Sequence, residues 1–324
     1  MFIKKLKFIL IINMPILKNL VVAGGGIQGF LYLGAIAYLD ERKLLENVNH
    51  YIGTSIGSMY CLCLVVGYKP YELFEFKKHL EINRVFDEVN LDNFIENFGF
   101  LKGSDRISYI LKRLLENKKI KDSITFKDLY NLTNKKLTIV GVCLNDFSVH
   151  LFNHEETPNM QVLLAVRISS NVPILFPPVE YDNKLWIDGG AVLNFPMEIC
   201  KDEIENTIGI CMHDRFVNTS DLKEHFAYIS NLLCCLVTGN TKIVLKKYKN
   251  NIISINKYND NFIDADIDER IAMFNHGYNF CKNSNILYRF LKEVSVIKAN
   301  IFENLDYNSE TETSDEISEI DLDG

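Results

Sequence analysis

Two short apolar strands, each ended by a glycine-rich turn and followed by a helix, most constrain the fold of this chain. The first predicted strand, Ile16 to Ala23, runs into Gly24-Gly25-Gly26-Ile27-Gln28-Gly29 and a helix from Phe30 to Arg42. The second strand ends at Tyr51-Ile52, and the turn Gly53-Thr54-Ser55-Ile56-Gly57 leads into an apolar helix that ends at Val66. Successive units of this kind favour an α/β fold with a parallel sheet covered by helices on both faces.

The rest of the chain continues this alternation. Helices are predicted over 71–81, 91–98, 104–117 and 125–131, where they are suited to form a cap over a site, and again over 220–236 and 266–281. Strands are predicted over 136–143, 148–152, 184–187, 207–211 and 252–256. We therefore expect an N-terminal extension at 1–15, one α/β domain over 16–297 and an acidic, disordered tail over 298–324.

Charge and hydropathy exclude several classes of protein. The formal net charge is −7, and the segment from Glu310 to Gly324 alone holds seven acids and no base, so the remaining body is neutral. A neutral body lacks the basic surface of a nucleic-acid-binding protein. The apolar run near Met1 is too short for a signal peptide, synthesis can also begin at Met14, and no segment is long enough to span a membrane. We expect an intracellular, cytoplasmic protein with peripheral membrane association.

Cysteine and histidine spacing gives no sign of a metal centre. The eight cysteines lie mostly in apolar runs and no pair has CxxC spacing, which predicts reduced core residues. His150 and His154 would face one way on a helix, but the surrounding residues resemble the end of a strand. We predict neither a metal nor a cofactor.

The turn around Ser55 has the GxSxG pattern of a nucleophile elbow. In such an elbow the glycines leave room for a strained strand-to-helix turn that presents the serine hydroxyl at a helix N-terminus. The alternative is a turn serine that caps an ordinary buried helix. The position of this pattern between a strand and an apolar helix favours the nucleophile.

The glycine run that follows the first strand is suited to bind an anion. It contains GxGxxG, but no acidic residue ends the next strand, as a dinucleotide site requires, and no Gly-Lys-Ser/Thr follows, as a P-loop requires. The backbone N–H groups of Gly24, Gly25 and Gly26 can be approached closely by a substrate oxygen, which is the requirement of an oxyanion hole. The alternative is a tight turn without a ligand.

A serine nucleophile needs a base, and the best candidate is Asp188. It ends the strand Trp186-Ile187-Asp188 and precedes Gly189-Gly190, an arrangement that presents a side chain at the edge of a sheet. A plain Asp-Gly turn is the alternative. None of the seven histidines lies in a context typical of a catalytic triad.

These three motifs, in this order, resemble the patatin-like phospholipase family. The run from Ile168 to Pro178, the stretch Asp188-Gly-Gly-Ala-Val-Leu-Asn194-Phe-Pro196 and the late helix that ends in His-Gly-Tyr278 are also similar to the family, so the resemblance covers residues 16–290. It implies a three-layer α/β/α fold with a mainly parallel central sheet and a calcium-independent lipid acyl hydrolase. The substrate class it implies is phospholipids or other acyl lipids at a membrane surface, and the need for a protein activator is left open.

The resemblance also assigns roles to individual residues. Ser55 would be the nucleophile of a Ser-Asp dyad, Asp188 its base, and Gly24, Gly25 and Gly26 the oxyanion donors. The supporting glycines of these motifs are Gly29, Gly53, Gly57, Gly189 and Gly190.

One departure from the family pattern concerns Gln28, which stands where the family usually has a basic residue that helps to hold the glycine loop or a head-group phosphate. A neutral side chain can still donate hydrogen bonds. Two other functions remain open at this stage: a conventional Ser-His-Asp esterase or thioesterase, and a catalytically silent protein of the same fold that binds a lipid or a protein partner.

Overall fold

The computed structural model describes residues 15–80, 91–101, 105–213, 225–258 and 265–291. The larger compact unit, Leu17–Ser284, contains every element discussed below. A short 3₁₀ turn at Asn285–Arg289 belongs to a second unit. The domain boundaries expected from the sequence stay predictions.

The helices and strands alternate along the chain much as the sequence predicts. The strands are β1 (Asn19–Val22), β2 (His50–Gly53), β3 (Lys136–Cys143), β4 (Ser148–Phe152), β5 (Val179–Tyr181), β6 (Lys184–Asp188), β7 (Thr207–His213) and β8 (Ile252–Asn256). The helices are α1 (Gly29–Glu41), α2 (Ile56–Val65), α3 (Pro70–Lys78), α4 (Leu91–Asn97), α5 (Asp105–Asn117), α6 (Phe126–Thr133), α7 (Val162–Ser169), α8 (Gly190–Leu193), α9 (His225–Lys247) and α10 (Ile267–Lys282).

Within the described ranges the strands form one mixed sheet in the order β5-β6-β3-β2-β1-β7-β8, with β4 also paired to β3. Strands β3, β2, β1, β7 and β8 are parallel to one another, whereas β4 and β6 run antiparallel to β3. The predicted α/β fold with a mainly parallel sheet and helices on both faces is therefore confirmed. Parallel strands bring their carboxyl ends to the same edge, so the turns that follow β1 and β2 lie side by side.

The structure differs from the predicted elements at a few places with identifiable causes. The 3₁₀ segment at Met197–Asn206 was not predicted, because its polar, acidic sequence shows no clear helical period. The predicted helix over 220–236 begins outside the described residues, and α9 continues to Lys247 because Thr238, Gly239 and Asn240 do not break it. The cysteines described are unpaired, and all but Cys235 are buried, so the expectation of a core position is wrong for that residue.

Helices α1 and α10 cross with their backbones in direct contact, so glycine should be required at the crossing. A Cβ atom added to Gly34 would lie 1.9 Å from the Phe274 carbonyl oxygen, and one added to Gly277 would lie 1.9 Å from the Leu31 carbonyl oxygen. We expect Gly34→Ala to lower the free energy of unfolding by about 1–3 kcal/mol, because the helices must separate. The higher helix propensity of alanine offsets only about 1 kcal/mol of that loss.

Gly239 in α9 is the matched control, because a Cβ atom there would meet nothing within 4 Å. Gly239→Ala should leave the stability unchanged or raise it by about 0.5–1 kcal/mol. Chemical denaturation of both variants measures the difference. Equal effects at the two positions would show that the crossing does not require glycine.

Candidate active site

Ser55 occupies a strained turn between β2 and α2. Its φ of 54° and ψ of −127° lie in a region that residues other than glycine rarely adopt. A Cβ atom on Gly57 would lie 2.3 Å from the Val22 carbonyl oxygen, and one on Gly53 would lie 2.5 Å from the Gly57 carbonyl oxygen. The two glycines of the GxSxG pattern therefore allow the close approach of β1, β2 and α2 that holds Ser55 in this conformation. Strain of this kind costs about 1–3 kcal/mol and is typical of functional turns.

Asp188 lies in contact with Ser55. The pairing of Gly53 with Ile139 and of Asp188 with Gly141 places the ends of β2 and β6 two residues apart along β3. The Ser55 side chain lies close enough to the Asp188 carboxyl group to lower its pKa, and that carboxyl group accepts a 2.6 Å hydrogen bond from the Gly190 N–H. The structure thus brings together the two side chains that the sequence singles out.

The environment of Asp188 makes its carboxyl group a stronger base than usual. The side chain is only 4% exposed. Burial raises its pKa to about 7, and the hydrogen bond from the Gly190 N–H and the nearby Ser55 side chain, which stabilise the carboxylate, offset only part of that rise. A carboxylate with a pKa near 7 can accept a proton from a hydroxyl group more readily than one with an ordinary pKa near 4.

The glycine loop lies directly beside Ser55. A Cβ atom on Gly24 would lie 3.1 Å from the Ser55 Cβ and 2.4 Å from the Asn194 Oδ1. The Tyr32 hydroxyl donates to the Gly24 carbonyl at 3.0 Å and accepts from the Met212 N–H at 3.1 Å, so it ties the loop to β7. The loop is therefore fixed by neighbouring elements before any substrate binds.

The three N–H groups predicted as oxyanion donors differ in availability. The Gly24 N–H donates to the Asn194 carbonyl at 3.3 Å. The N–H groups of Gly25 and Gly26 have no hydrogen-bond acceptor in the part of the chain that the structure describes, and Gly26 has a φ of 53°. The backbone N–H groups of Gly25 and Gly26 can therefore donate hydrogen bonds to a substrate oxygen.

The remaining glycines of the motifs also lie where neighbouring atoms leave no room for a side chain. An added Cβ atom would come within 3.0 Å of a neighbouring atom at Gly29, Gly189 and Gly190. At Gly190 one of the atoms met is the Asp188 Oδ1, so this glycine also allows its own N–H to reach the carboxyl group.

Sequence reasoning gave no role to two residues that hold the site together. The Ser169 hydroxyl accepts the Ser55 N–H at 3.0 Å, and the Asn194 carbonyl holds the glycine loop. Both residues lie in stretches of sequence that carry the family resemblance. That resemblance was the signal from which their roles could have been predicted. Ser170 has a buried hydroxyl without a hydrogen-bond partner in the described chain, at the wall of the cavity beside Ser55.

Gln28 contributes to the scaffold of the loop. Its side chain is fully buried, and its Oε1 accepts the Tyr258 N–H at 3.2 Å. The residue therefore connects the 3₁₀ turn at Gly26–Gln28 with the chain just after β8. A buried amide in this position is suited to hold the glycine loop.

An apolar cavity opens beside Ser55. It has a volume of about 190 Å³, whereas one water needs about 10–15 Å³ by the same measure, so it accommodates a group far larger than water. Helix α2 contributes Ile56, Met59 and Cys63, and helix α5 contributes Ile107, Leu111 and Leu114. Part of the predicted cap, α3 and α5, thus lines this cavity. Its apolar wall suits a hydrocarbon chain.

The described histidines contribute no hydrogen bond to Ser55 or Asp188. His50 lies at the amino end of β2, opposite Ser55, where its Nε2 contacts the Thr138 hydroxyl at 2.9 Å and burial lowers its pKa to about 3. The side chain of His225 lies outside the described part.

His150 and His154 do not face each other as a ligand pair. His150 contacts Asp146, and the His154 ring stacks on Tyr130. Cys143, Asp146 and His150 form a small cluster at the β3–β4 hairpin, with potential ligand atoms within 4.8 Å of one another. The His150 Nε2 in that cluster is already hydrogen-bonded to Asp146 and Ser148, so the structure gives no reason to assign it a metal.

Comparison with known proteins points to one family. The sequence profile described as "Patatin-like phospholipase" matches residues 20–201. "Probable lipid hydrolase 463L" of Invertebrate iridescent virus 6 is 30% identical over 267 residues, which are 80% of this chain and 86% of that protein. "Uncharacterized protein R571" of Acanthamoeba polyphaga mimivirus is 27% identical over 259 residues, 79% of this chain and 85% of that protein. The crystal structure of VipD from Legionella pneumophila shares the fold, with a TM-score of 0.56 and 18% identity over 93% of this chain and 78% of that one.

Proposed function

The chain belongs to the patatin-like phospholipase family, and from that premise we propose that it hydrolyses ester bonds of acyl lipids with a Ser55-Asp188 dyad. The family match and the similarity to a probable lipid hydrolase support lipid ester hydrolysis as the activity. The observation that carries the finer assignment is the proximity of the strained Ser55, at the wall of an apolar cavity, to the buried Asp188 carboxyl group.

In the first half of the proposed reaction, the Asp188 carboxylate takes the proton from the Ser55 hydroxyl while the Ser55 Oγ attacks the ester carbonyl carbon. The oxyanion that forms accepts hydrogen bonds from the N–H groups of Gly25 and Gly26, and Gly24 allows the loop to approach Ser55. Asp188 then gives the proton to the departing alcohol oxygen. The acyl group stays bound to Ser55.

In the second half, Asp188 takes a proton from water, and the resulting hydroxide attacks the acyl carbonyl. The bond to Ser55 breaks, Asp188 returns its proton to the Ser55 Oγ, and the fatty acid leaves. Each proton transfer has a donor and an acceptor in the dyad, the substrate or water. Accordingly, we propose that calcium takes no part, as the family resemblance implies.

Substrate is proposed to reach the site from a membrane surface. No helix within the described ranges has both the length and the hydrophobicity to cross a bilayer. Ile95 and Phe98 are exposed on and just after α4, and the same segment leads to Leu101 at the cavity wall. Exposed apolar side chains next to an apolar cavity favour contact with lipid.

Release of fatty acid from mixed phospholipid vesicles tests the proposal. We expect release in the presence of a calcium chelator, at a rate that added calcium leaves unchanged. Loss of activity in a single His→Ala variant, with Asp188→Asn still active, would instead identify a Ser-His-Asp esterase. If the chain releases no fatty acid, labelling of Ser55 by a fluorophosphonate would indicate a missing activator, and no labelling would indicate a silent binding protein.

The raised pKa of Asp188 predicts the pH dependence of the reaction. The base must be ionised to accept the Ser55 proton, and it becomes protonated as the pH falls through about 7. We expect kcat/KM to fall about tenfold for each pH unit below that value and to level off above it. A soluble ester is the appropriate substrate, because the surface charge of vesicles changes with pH and would alter the measured rate. A flat profile down to about pH 5 would contradict the assignment of Asp188 as the base.

A further inference from the structure

A lysine amine lines the apolar cavity that contains Ser55. Lys77, near the end of α3, donates a 2.6 Å hydrogen bond from its Nζ to the Tyr60 hydroxyl. The same Nζ lies 4.6 Å from the centre of the Phe30 ring and 4.8 Å from that of Tyr60. The amine is therefore held by aromatic faces and one hydroxyl group, which are neutral partners.

No carboxylate of the described chain pairs with this amine. By contrast, Lys69 and Lys78 pair with Asp40 and Glu75 on the surface. Burial is the main cause that lowers the pKa of Lys77 to about 7, and the positive charge of Arg270 from α10 adds to it, whereas the Cys63 thiol acts in the opposite direction. A half-buried amine without an anion costs free energy, so it needs a reason to lie in a cavity otherwise suited to hydrocarbon.

The position of Lys77 relative to Ser55 is fixed by α2. The cavity-lining residues Ile56, Met59, Tyr60 and Cys63 follow the spacing of one helical face, and Tyr60 comes five residues after Ser55. The Tyr60 backbone thus lies about 7.5 Å along the helix axis from that of the nucleophile, and the Lys77-Tyr60 pair and Ser55 line the same cavity. This is the region that an acyl chain attached to Ser55 would enter.

The pair offers hydrogen-bond donors that its own contact does not use. A protonated lysine has three N–H groups and directs one to Tyr60, and the Tyr60 hydroxyl, as the acceptor of that bond, keeps its own hydrogen to donate. Donors that converge without a carboxylate are complementary to an oxygen anion. A carboxylate would also neutralise the charge of the protonated amine.

We propose that Lys77 and Tyr60 form a polar subsite within the acyl cavity, which binds a carboxylate carried at the end of a medium-length acyl chain. The enzyme would then favour carboxyl-bearing acyl chains over plain chains of the same length. This inference rests on the proposed function, since it deepens the substrate class of the same site.

The test compares the azelaoyl and nonanoyl esters of umbelliferol, which differ in the terminal carboxylate of the acyl chain. We expect Lys77→Met to lower the ratio of kcat/KM for the two esters about 10-fold to 100-fold, the effect of losing a charged hydrogen bond. Lys78→Met is the matched control, because Lys78 pairs with Glu75 outside the cavity lining. An unchanged ratio in Lys77→Met, or an equal change in Lys78→Met, would overturn the proposal.

Calorimetric binding of the same esters to Ser55→Ala separates this inference from the proposed function. Tighter binding of the azelaoyl ester, lost when Lys77→Met is added, supports the subsite even if the unaltered chain hydrolyses neither ester. Equal binding of the two esters overturns the subsite even if both are hydrolysed. Thermal melting of each variant establishes that the compared proteins are folded.

Discussion

Ser55→Ala should abolish lipid hydrolysis, with kcat/KM reduced about 10³-fold or more, because no other group in the proposed mechanism can carry the acyl chain. The hydroxyl is the only part of the side chain removed, and the close packing of Gly53 and Gly57 around the turn is retained. Fatty-acid release from vesicles and turnover of a soluble ester both measure the loss. Ser148→Ala, on an exposed hairpin, is the control and should keep its activity.

The strained backbone at Ser55 adds a second readout. Its φ of 54° is easily adopted by glycine, so Ser55→Gly should be inactive but more stable to unfolding than Ser55→Ala, by about 1 kcal/mol. A gain in stability together with a loss of activity in Ser55→Gly is expected if the strained serine is needed for catalysis and not for folding. If both variants had the same stability as the unaltered chain, the backbone strain would have no energetic consequence.

Asp188→Asn should reduce kcat/KM by about 10³-fold, because an amide cannot take the Ser55 proton. The amide oxygen can still accept the Gly190 N–H, so the local structure should be retained. Asp182→Asn is the matched control: it lies in the exposed turn before β6, and its φ of 55° suits asparagine equally well. Near-full activity of Asp188→Asn would refute the role of Asp188 as base.

The same substitution should change the dependence of stability on pH. The pKa of Asp188 is raised in the folded protein, so between about pH 4 and 7 the folded state holds a proton that the unfolded state has lost. The contribution of the Asp188 carboxyl group to the free energy of unfolding is therefore present at low pH and is lost as the pH rises through about 7. Asp188→Asn should have a higher melting temperature than the unaltered chain above pH 7 and show little difference near pH 4.

Local patterns predicted the edge of the sheet that carries Ser55 well, because strand, turn and helix there are encoded by adjacent residues. The strand before Gly24 and the turn at Ser55 lie where the glycines place them, although β1 is shorter than the predicted Ile16 to Ala23. That Ser55 touches Asp188 follows from the order of the strands across the sheet. The spacing of the motifs along the chain does not predict the order of the strands in the sheet. The pairing of Ser55 with Asp188 was predicted from the family resemblance.

Other features of the site depend on tertiary contacts that no local pattern encodes. The Gly24 N–H donates a hydrogen bond to the carbonyl of Asn194, a residue far away in sequence. The sequence therefore gave no reason to distinguish Gly24 from Gly25 and Gly26 as an oxyanion donor. Lys77 lies in a helix with a charged sequence and resembles any surface lysine. Its place in the cavity results from the approach of α3 to α2 and α5.

Mapping the residue that a fluorophosphonate probe labels directly tests whether Ser55 is the nucleophile. The probe bonds covalently to an activated serine, and peptide mass spectrometry identifies the residue. We expect one labelled peptide, containing Ser55, with labelling lost in Ser55→Ala and strongly reduced in Asp188→Asn. Labelling of a different serine, or vesicle hydrolysis that persists in Ser55→Ala, would contradict it.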